Sequence, residues 1–454
     1  MNVIVIGAGV VGDTIARKLS TEGHDVVIIE KDEKRVREAR ESLDVRIVHG
    51  SGSSPQTLLD AGIDKTEMVI AVTDSDEVNM IACLIAGSQT SVPKKIARIR
   101  DADYESYTRI FEPDYLDLDL NINPERLAAD RIIKIVEVPG AVEVEDFIDG
   151  NFRLVGRRLP ETSNLVGRSL RDVKELHPEE KSLIVAIYRD GDTIIPDGST
   201  VIERGDLLFA ITVPAESRRL LDTLGAAEKR ANRVMIVGGG NVGFYLARTL
   251  EGRGYQVKLI EMNAAKCEFL AERLDKTIVI AGDATDQSLL AEENVSDTDA
   301  FISVTADEEA NILITLLAKR LGAPRCIGLI DKPEYLAMTP AIGLDVAVSP
   351  RLTSVSSILQ FVRRGKILSV KTLMEERVEA IETLAMETSN IVGRELRDIN
   401  IPKGAIIGGV MKGENVFIPI GQTIIRPDDR LVIFALREVI PKVEKMLMVK
   451  PDFF

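Results

Sequence analysis

The same alternation of apolar and polar segments occurs twice in the chain, in residues 1–30 and again in residues 233–261. In both stretches an apolar run leads into a glycine-rich turn, a helix-compatible segment follows, and a second apolar run ends on an acid. Short apolar runs bounded by glycine are typical of buried strands, and the segment between them has the length of a helix. The pattern therefore predicts the order strand, turn, helix, strand in each stretch.

The glycines of the turn have the GxGxxG spacing, which gives each of them a separate role. The first makes the tight turn off the strand, the second lets a pyrophosphate approach the backbone, and the third lets the helix pack against the sheet. The free N–H groups at the start of the helix then face the phosphates. These glycines are Gly7, Gly9 and Gly12 in the first copy and Gly238, Gly240 and Gly243 in the second. The alternative is that they only form strand-to-helix turns of a sheet.

The acid that ends the second apolar run is Glu30 in the first copy and Glu261 in the second. Each lies eighteen residues after the last glycine of its turn (30 − 12 and 261 − 243). A carboxylate at this position can accept hydrogen bonds from ribose hydroxyls. Both acids favour a ribose with free hydroxyls over a 2′-phosphate, although the neighbouring Lys31 leaves an opening for a phosphorylated ligand.

The later strands of each copy are predicted to end at one edge of the sheet, where open parallel sheets bind their ligands. The candidates at this edge are Ser51, Thr73, Asp74 and Arg98 in the first copy and Asp283 and Thr305 in the second. The second copy has Ala306 and Leu329 in place of Asp74 and Arg98. A pairing of arginine with phosphate is therefore expected only in the first copy, unless Arg98 is a solvated residue at the end of its strand.

From residue 141 to 224 the pattern changes, and a series of short motifs appears that returns near the end of the chain. The motifs ETSN, VGR and RDV at 161–164, 166–168 and 171–173 reappear as ETSN, VGR and RDI at 387–390, 392–394 and 397–399. Hairpin signals and further strands follow the motifs. This segment predicts a small α+β domain, which also occurs twice.

The sequence therefore predicts an α/β protein with two Rossmann-like, doubly wound parallel sheets, each followed by a small α+β domain. The predicted domains are residues 1–125, 141–224, 232–351 and 368–454, and a polar linker at 225–232 joins the two halves. Such a duplication is expected to form a pseudo-twofold dimer within one polypeptide.

Each parallel sheet is predicted to close at a proline, Pro124 or Pro350, which begins a helix with an apolar stripe. The stripe is clearer in the second helix, where its members are Leu352, Val355, Leu359 and Val362. Helical spacing of apolar residues predicts a buried face. That face is either core of its own unit or the part of the helix that crosses to the neighbouring unit.

Charge and composition exclude several classes of function. The chain has 454 residues and a formal net charge of −15, which argues against wide contact with nucleic acid or anionic lipid. No uncharged run approaches the roughly eighteen residues that cross a bilayer, and the chain opens directly on a strand, so secretion is not expected. The few cysteines and histidines are scattered, without the spacing of a zinc site or a catalytic triad.

The chain resembles the regulator of potassium conductance (RCK) family in three features that are repeated in the same order. These are the turn GAGVVG at 7–12, the acid at the end of the second strand, and the ETSN and VGR motifs of the small domain. The resemblance covers essentially the whole chain. It implies a non-catalytic, ring-forming homo-oligomer that is peripheral on the cytoplasmic face of the plasma membrane. It also implies an integral membrane potassium-translocating subunit as partner, NAD(H) as ligand, and often ATP or ADP.

Carried over by position, the resemblance implies two nucleotide sites. The first would comprise Gly7, Ala8, Gly9, Val10, Val11, Gly12, Glu30, Ser51, Thr73, Asp74 and Arg98, and the second Gly238, Gly239, Gly240, Asn241, Val242, Gly243, Glu261, Asp283 and Thr305. Because the second site departs from the first at Ala306 and Leu329, the two sites need not share a ligand.

Three functions remain open from the sequence. A regulatory subunit would work by linkage, since a nucleotide that prefers one angle between the large and small domains shifts the protein toward it. An NAD-dependent oxidoreductase would need a general acid or base near the nicotinamide, yet His177 stands alone and the second small domain has no histidine. A soluble nucleotide sensor is the third. Carboxylates such as Glu203 and Asp206 either hold a cation effector or solvate a hairpin.

Overall fold

The computed structural model describes residues 1–89, 92–160, 163–179, 181–225, 231–362, 367–373, 377–387 and 389–447. The central part of the predicted linker, 226–230, lies outside these residues, as do Glu161, Thr162 and Thr388 of the repeated motifs. Two parallel sheets and two antiparallel sheets alternate along the chain, which confirms the predicted α/β fold class. We refer to the parts built on them as the first and second large domains and the first and second small domains.

The first large domain is a six-stranded parallel sheet with the order β3-β2-β1-β4-β5-β6. Its strands are β1 (Asn2–Ile6), β2 (Asp25–Glu30), β3 (Arg46–His49), β4 (Met68–Ala71), β5 (Lys94–Arg98) and β6 (Leu120–Ile122). Its helices are α1 (Val10–Thr21), α2 (Glu33–Ser42), α3 (Pro55–Ala61) and α4 (Asp76–Gln89), and α5 (Pro124–Glu137) follows the sheet. The central strands β1 and β4 are buried on both faces, as the continuous apolar runs predicted.

The first small domain is a five-stranded antiparallel sheet with the order β10-β9-β11-β8-β7. Its elements are β7 (Ala141–Phe147), β8 (Phe152–Arg158), α6 (Leu170–Leu176), β9 (Ser182–Arg189), β10 (Asp192–Ile194), β11 (Leu207–Thr212) and α7 (Ser217–Thr223). The predicted hairpin turns at Asp190 and Gly191, both of which have positive φ. This backbone conformation favours Gly, Asn and Asp, which explains why that dipeptide joins β9 and β10.

The second large domain repeats the first with the order β14-β13-β12-β15-β16-β17. Its strands are β12 (Arg233–Val237), β13 (Gln256–Glu261), β14 (Ile278–Ala281), β15 (Ala300–Ser303), β16 (Cys326–Leu329) and β17 (Val346–Val348). Its helices are α8 (Asn241–Gly252), α9 (Ala264–Ala271), α10 (Gln287–Glu292), α11 (Glu308–Arg320) and α12 (Pro333–Ile342), and α13 (Pro350–Val362) follows the sheet. One difference is that Ala102–Phe111 of the first domain is a 3₁₀ segment where the second has α12.

The second small domain has the sheet order β18-β19-β22-β20-β21. Its elements are β18 (Ile367–Leu373), β19 (Val378–Leu384), β20 (Ala405–Lys412), β21 (Asn415–Phe417), β22 (Arg430–Leu436) and α14 (Ile440–Leu447). The two small domains share one apolar core, in which the rings of Phe147 and Phe434 meet edge to face with centroids 5.7 Å apart. The small domains are therefore packed against each other.

Helices α5 and α13 are exchanged between the two large domains. The apolar face of α13, with Val355, Ile358 and Leu359, is buried in the core of the first large domain beside α1. The apolar face of α5, with Ile132 and Val136, is buried in the core of the second large domain beside α8. Of the two alternatives left open by the stripe, the structure has the crossing helix.

Arg325 of the second large domain holds the end of α5. Its guanidinium donates to the carbonyl oxygens of Ile135 at 2.8 Å and Val138 at 3.2 Å, and also to that of Ala141. These carbonyls lie at the C-terminal end of the helix and in the segment that enters β7. Because such carbonyls have no partner within the helix, the arginine satisfies them and fixes α5 to the domain it crosses to.

The exchange predicts that an α13 residue stabilises the first large domain, although it follows the second large domain in sequence. We expect Ile358→Ala, which empties a fully buried site, to lower the free energy of unfolding by about 2–5 kcal/mol. Ile132→Ala in α5 should have a similar effect. Leu59→Ala, on the half-exposed side of α3, is the control and should change stability by less than about 0.5 kcal/mol. Urea unfolding of the full chain tests this, and equal midpoints for Ile358→Ala and Leu59→Ala would contradict the burial of Ile358.

Candidate nucleotide-binding site

The turn between β1 and α1 requires glycine at two positions for different reasons. Gly7 has a φ of +104°, and its N–H donates to the carbonyl of Ile29 at 2.8 Å. At Gly12 a Cβ atom would lie 1.9 Å from the carbonyl oxygen of Gly7, so a side chain would push the helix off the turn. Gly7 therefore makes the turn off the strand, and Gly12 allows the close packing of helix on sheet; these are the roles predicted for them.

The carboxylate of Glu30 braces the turn from the next strand. One of its oxygens accepts from the N–H of Ala8 at 2.6 Å, and the other accepts from the N–H groups of Lys31 and Asp32 at 2.8 Å. The side chain is almost fully buried, yet it also lines the cleft above the turn. Each carboxylate oxygen can accept more than one hydrogen bond, so the bracing leaves acceptor capacity for ribose hydroxyls.

Thr73, at the end of β4, is held by Asn79 of α4. The amide oxygen of Asn79 accepts from the Thr73 N–H at 2.9 Å and from its hydroxyl at 2.8 Å, and its NH₂ group donates to the carbonyl of Arg98 at 2.7 Å. Asn79 is completely buried. It therefore fixes the ends of β4 and β5 relative to each other, and with them the positions of Thr73 and Arg98.

A cleft of about 430 Å³ lies at this edge of the first sheet, and both large domains form its walls. Most of the residues predicted for the first site line it: Gly7, Gly9, Val10, Val11, Glu30, Ser51, Thr73, Asp74 and Arg98. Ala8 and Gly12 are the other two, and they shape the turn beneath it. The opposite wall comes from the second large domain and comprises Glu308, Asp331, Lys332, Pro333 and Arg351. A site between two domains was not predicted from the sequence.

Five cationic side chains line the cleft: Lys31, Arg35 and Arg98 from the first large domain, and Lys332 and Arg351 from the second. An Nη atom of Arg35 lies 3.9 Å from the place a Cβ of Gly9 would occupy, directly over the glycine turn. Within the described part of the chain, the buried Nε atoms of Arg98 and Arg351 have no hydrogen-bond partner. Burial, together with the neighbouring Arg100, lowers the pKa of the Arg98 guanidinium.

These cations are suited to an anionic ligand. A half-buried guanidinium without a hydrogen-bond partner is costly, and a phosphate is the anion that arginine binds best. Two carboxylates of the cleft accept hydrogen bonds from backbone N–H groups and a hydroxyl, and Asp331 also accepts from the backbone N–H of Arg351. Glu308 accepts from the N–H groups of Asp331 and Lys332, and Asp331 accepts from the hydroxyl of Ser349.

Arg35 and Arg351 are site residues that sequence reasoning missed. Arg35 lies in the first turn of α2, where the Asp32 cap at the start of the helix was a visible signal for a side chain facing back over the turn. Arg351 follows Pro350 in the helix whose stripe was recognised, but its place in the first site depends on the crossing of that helix. No local pattern in the sequence carries that information.

The second glycine turn has the same backbone but a different environment. Gly238 has a φ of +102°, and Glu261 accepts from the N–H of Gly239 at 2.8 Å, as Glu30 does from Ala8. The side chain of Leu270, however, lies 2.4 Å from the place a Cβ of Gly239 would occupy, so a buried leucine fills the core space that the side chain of Ala8 takes in the first copy. The corresponding residue of α2 is the smaller Ala39.

The remaining candidates of the second site take the positions expected from the duplication. Gly240 and Asn241 begin α8, and Val242 is buried in the core. Asp283 accepts from the N–H and hydroxyl of Thr285, which lowers the pKa of its carboxyl. Asn311 holds Thr305 and the carbonyl of Leu329, as Asn79 does in the first domain. Because Leu329 takes the place of Arg98, the second turn lacks that arginine.

The cation site considered for the first small domain is occupied by an arginine. Arg189 forms a bidentate ion pair with the fully buried Asp206, at 2.8 and 2.7 Å, and also contacts Glu203. These carboxylates stabilise β9 against the following loop. Within the described residues, no cluster of histidine, cysteine and acidic side chains has the geometry of a metal site. The described residues also contain no helix long and apolar enough to cross a membrane.

Two glycine-turn sheets with exchanged helices, each followed by a small antiparallel domain, define a duplicated nucleotide-binding regulator. Comparison with known proteins agrees. The TrkA-N domain model matches residues 3–116 and 234–350, and the TrkA-C domain model matches residues 154–225 and 382–448. The chain therefore belongs to the TrkA family of Trk system potassium uptake proteins, as its curated relatives also indicate. It is a regulatory subunit, as predicted, and the oxidoreductase alternative is wrong.

Three curated relatives illustrate the match. The Trk system potassium uptake protein TrkA of Halomonas elongata is 39% identical over 458 residues, which cover 100% of both chains. That of Haemophilus influenzae is 39% identical over 98% of both chains. TrkA homolog 2 of Methanosarcina mazei is 36% identical over 98% of this chain and 100% of its own.

Solved structures share the fold over nearly the whole chain. The crystal structure of the GsuK RCK domain has a TM-score of 0.63 at 18% identity and covers 98% of this chain and 94% of that chain. The GsuK channel bound to NAD has the same TM-score and identity and covers 98% of this chain and 78% of that chain. The resemblance to the RCK family inferred from the motifs is thereby confirmed at the level of fold.

The contact beneath Gly12 predicts an unusual sign for a glycine-to-alanine change in a helix. Alanine normally stabilises a helix relative to glycine by about 0.5–1 kcal/mol. We expect Gly12→Ala instead to destabilise the protein by about 1–3 kcal/mol, because the added Cβ meets the carbonyl of Gly7. Gly240→Ala is the matched control, since its φ is −74° and no atom lies within 4 Å of the added Cβ. Thermal unfolding of both variants tests this; a stabilised Gly12→Ala variant would contradict the close packing.

Proposed function

We propose that the protein regulates potassium uptake by binding an adenine nucleotide, NAD(H) or ATP and ADP, in the cleft between its two large domains. The observation that carries this proposal is the convergence of Arg35, Arg98 and Arg351 on the glycine turn of the first domain. Two of these arginines have a buried Nε without a hydrogen-bond partner in the described residues. The phosphates of a nucleotide supply the missing acceptors.

The residues of the first cleft suit each part of a nucleotide. The N–H groups at the start of α1 and the side chain of Arg35 would bind the phosphates. Glu30 would accept hydrogen bonds from ribose hydroxyls, and Ser51 and the adjoining glycines leave room for the adenine or ribose. Arg98 would neutralise phosphate charge from the end of β5, where Asn79 donates a hydrogen bond to its carbonyl oxygen.

The second turn is proposed to bind a nucleotide through Gly238 to Val242 and Glu261, but with a different preference. It has Leu329 in place of Arg98 and Ala306 in place of Asp74. Fewer charge-assisted contacts are then available to a phosphate chain. The second site would therefore be the weaker of the two for di- and triphosphates.

The exchanged helices supply a route from the first cleft to the small domains. A ligand held by both large domains favours one angle between them, and a preference of about 1.4 kcal/mol shifts the balance about tenfold. Helix α5 moves with the second large domain, because Arg325 holds its end, and it leads directly into β7 of the first small domain. A change of angle would therefore reach the small domains as well.

The partner of the regulator is proposed to be an integral membrane potassium-translocating subunit, with several copies of this chain forming a ring on its cytoplasmic side. The names of the curated relatives, Trk system potassium uptake proteins, support a role in potassium uptake. The net charge of −15 suits the basic cytoplasmic loops of a membrane protein.

Titration of ATP, ADP and NADH into the purified protein tests the ligand assignment. We expect Arg98→Leu, which introduces the residue of the second site, to weaken binding at the first site about 10- to 100-fold, because a charge-assisted hydrogen bond to phosphate is lost. Stability of the free protein should not fall, since Arg98 lines the cleft and its buried Nε has no partner. Arg17→Leu, which removes a charge from the exposed side of α1, is the control and should bind normally. Unchanged affinity of Arg98→Leu would contradict the proposed site.

Association with the membrane is tested separately. We expect the chain to co-purify with an integral membrane protein from solubilised membranes, and potassium uptake by cells that carry only Arg98→Leu to lose its dependence on the nucleotide. The same variant should still co-purify, since the substitution changes only a residue that lines the nucleotide cleft. Recovery of the chain solely with soluble proteins would favour the stand-alone sensor.

A further inference from the structure

The two small domains carry opposite charges at equivalent positions of their first strands. Strands β7 and β18 both have seven residues, and each has a register shift after its first residue where it pairs with the next strand. Glu145 is the fifth residue of β7, and Lys371 is the fifth residue of β18. The duplicated position therefore holds a carboxylate in one half and an ammonium group in the other.

These two equivalent residues contact each other. The Nζ atom of Lys371 lies 3.2 Å from a carboxylate oxygen of Glu145, and the side chains are only 20% and 23% exposed. The same Nζ donates to the carbonyl oxygen of Asp146 and lies 4.7 Å from the centroid of the Phe147 ring. In a twofold dimer, a residue that meets its own equivalent lies at the axis. The pair therefore marks the pseudo-twofold axis between the small domains.

Two further ion pairs between the small domains have the same polarity. An Nη atom of Arg430 lies 2.6 Å from a carboxylate oxygen of Asp149. An Nη atom of Arg377 lies 4.0 Å from a carboxylate oxygen of Asp192. In both pairs the cation belongs to the second small domain and the carboxylate to the first, as in the pair at the axis. At these three contacts the first small domain thus presents acids and the second presents bases.

The flanking pairs depend on residues that the opposite half lacks. Arg430 begins β22, whereas Leu207 begins the equivalent strand β11. Asp192 begins β10, whereas Asn415 begins the equivalent strand β21. Two first small domains would therefore place Leu207 where Arg430 binds Asp149. Two second small domains would place Asn415 where Asp192 lies, and like charges would meet at the axis in either case.

We propose that Glu145 and Lys371 make each small-domain face specific for the opposite half, and that they exclude the pairing of two like halves. The first face fits a basic sheet surface with an ammonium group at the axis, and the second fits an acidic one. The apolar core between the small domains supplies attraction without such discrimination, because hydrophobic contact is non-directional. Two carboxylates or two ammonium groups at the axis supply the repulsion that specificity requires. The inference does not depend on the nucleotide.

Charge reversal in the full chain tests this proposal. Glu145→Lys places two ammonium groups at the axis, Lys371→Glu places two carboxylates there, and the double variant restores an opposite pair. We expect amide hydrogen exchange in β7 and β18 to be about tenfold faster in each single variant at low salt, and within about threefold of the wild type in the double variant. The difference should shrink in 1 M salt, where the charges are screened.

Two controls separate repulsion from other effects. Glu175→Lys makes the same change of charge on the exposed side of α6 and should leave exchange in β7 and β18 unchanged. Lys371→Met keeps an apolar stem without the charge, so it should accelerate exchange less than Lys371→Glu does.

The outcome for the double variant decides the matter. Exchange as fast in the double variant as in the single variants would overturn the proposal, since it would show that the individual side chains matter and their complementarity does not. Wild-type exchange in both single variants would also overturn it. If a single variant does not fold, a double variant that folds and exchanges like the wild type supports the proposal, and one that fails to fold contradicts it.

Discussion

The burial of two exchanged helices is the interaction on which the rest of the structure depends. Helix α13 completes the core of the first large domain, and α5 completes that of the second. A buried apolar face of this size contributes several kcal/mol to stability, because each fully buried Ile or Leu side chain contributes about 1.5–3 kcal/mol. Neither large domain has its full core without a helix from the other half, so the two halves are expected to fold as one unit.

The exchange also determines the electrostatics of the nucleotide cleft. Because α13 crosses to the first domain, its first residues lie opposite the first glycine turn, and a cation of one half faces the phosphate cradle of the other. Within the described residues, the buried Nε atoms of Arg98 and Arg351 have no acceptor, which costs free energy in the absence of an anion. Regulatory sites commonly keep such a cost, since a ligand that relieves it binds one arrangement of the domains more tightly than the other.

Much of the fold followed from local patterns, whereas the composition of the site followed only in part. The glycine turns, the buried strands and the acid that ends the second strand are local features. Their spacing predicted the sheets, and most of the residues predicted for the first site line the cleft. The stripe of α13 indicated that one face is buried, but a stripe carries no information about which domain buries it. Arg351 was missed for that reason. Glu203 and Asp206 could be interpreted from the sequence as a cation site, because their partner Arg189 lies on another part of the chain, in β9.

The covalent connection between the halves has a consequence for assembly. Two separate copies of a half-length unit would have to meet in solution before their helices could exchange, and their pairing would weaken on dilution. Within one polypeptide the partner is always present at a high effective concentration, so the pair survives at any protein level. A cell that makes few copies of this chain therefore still obtains complete pairs of large domains, because each chain contains both the first and the second half.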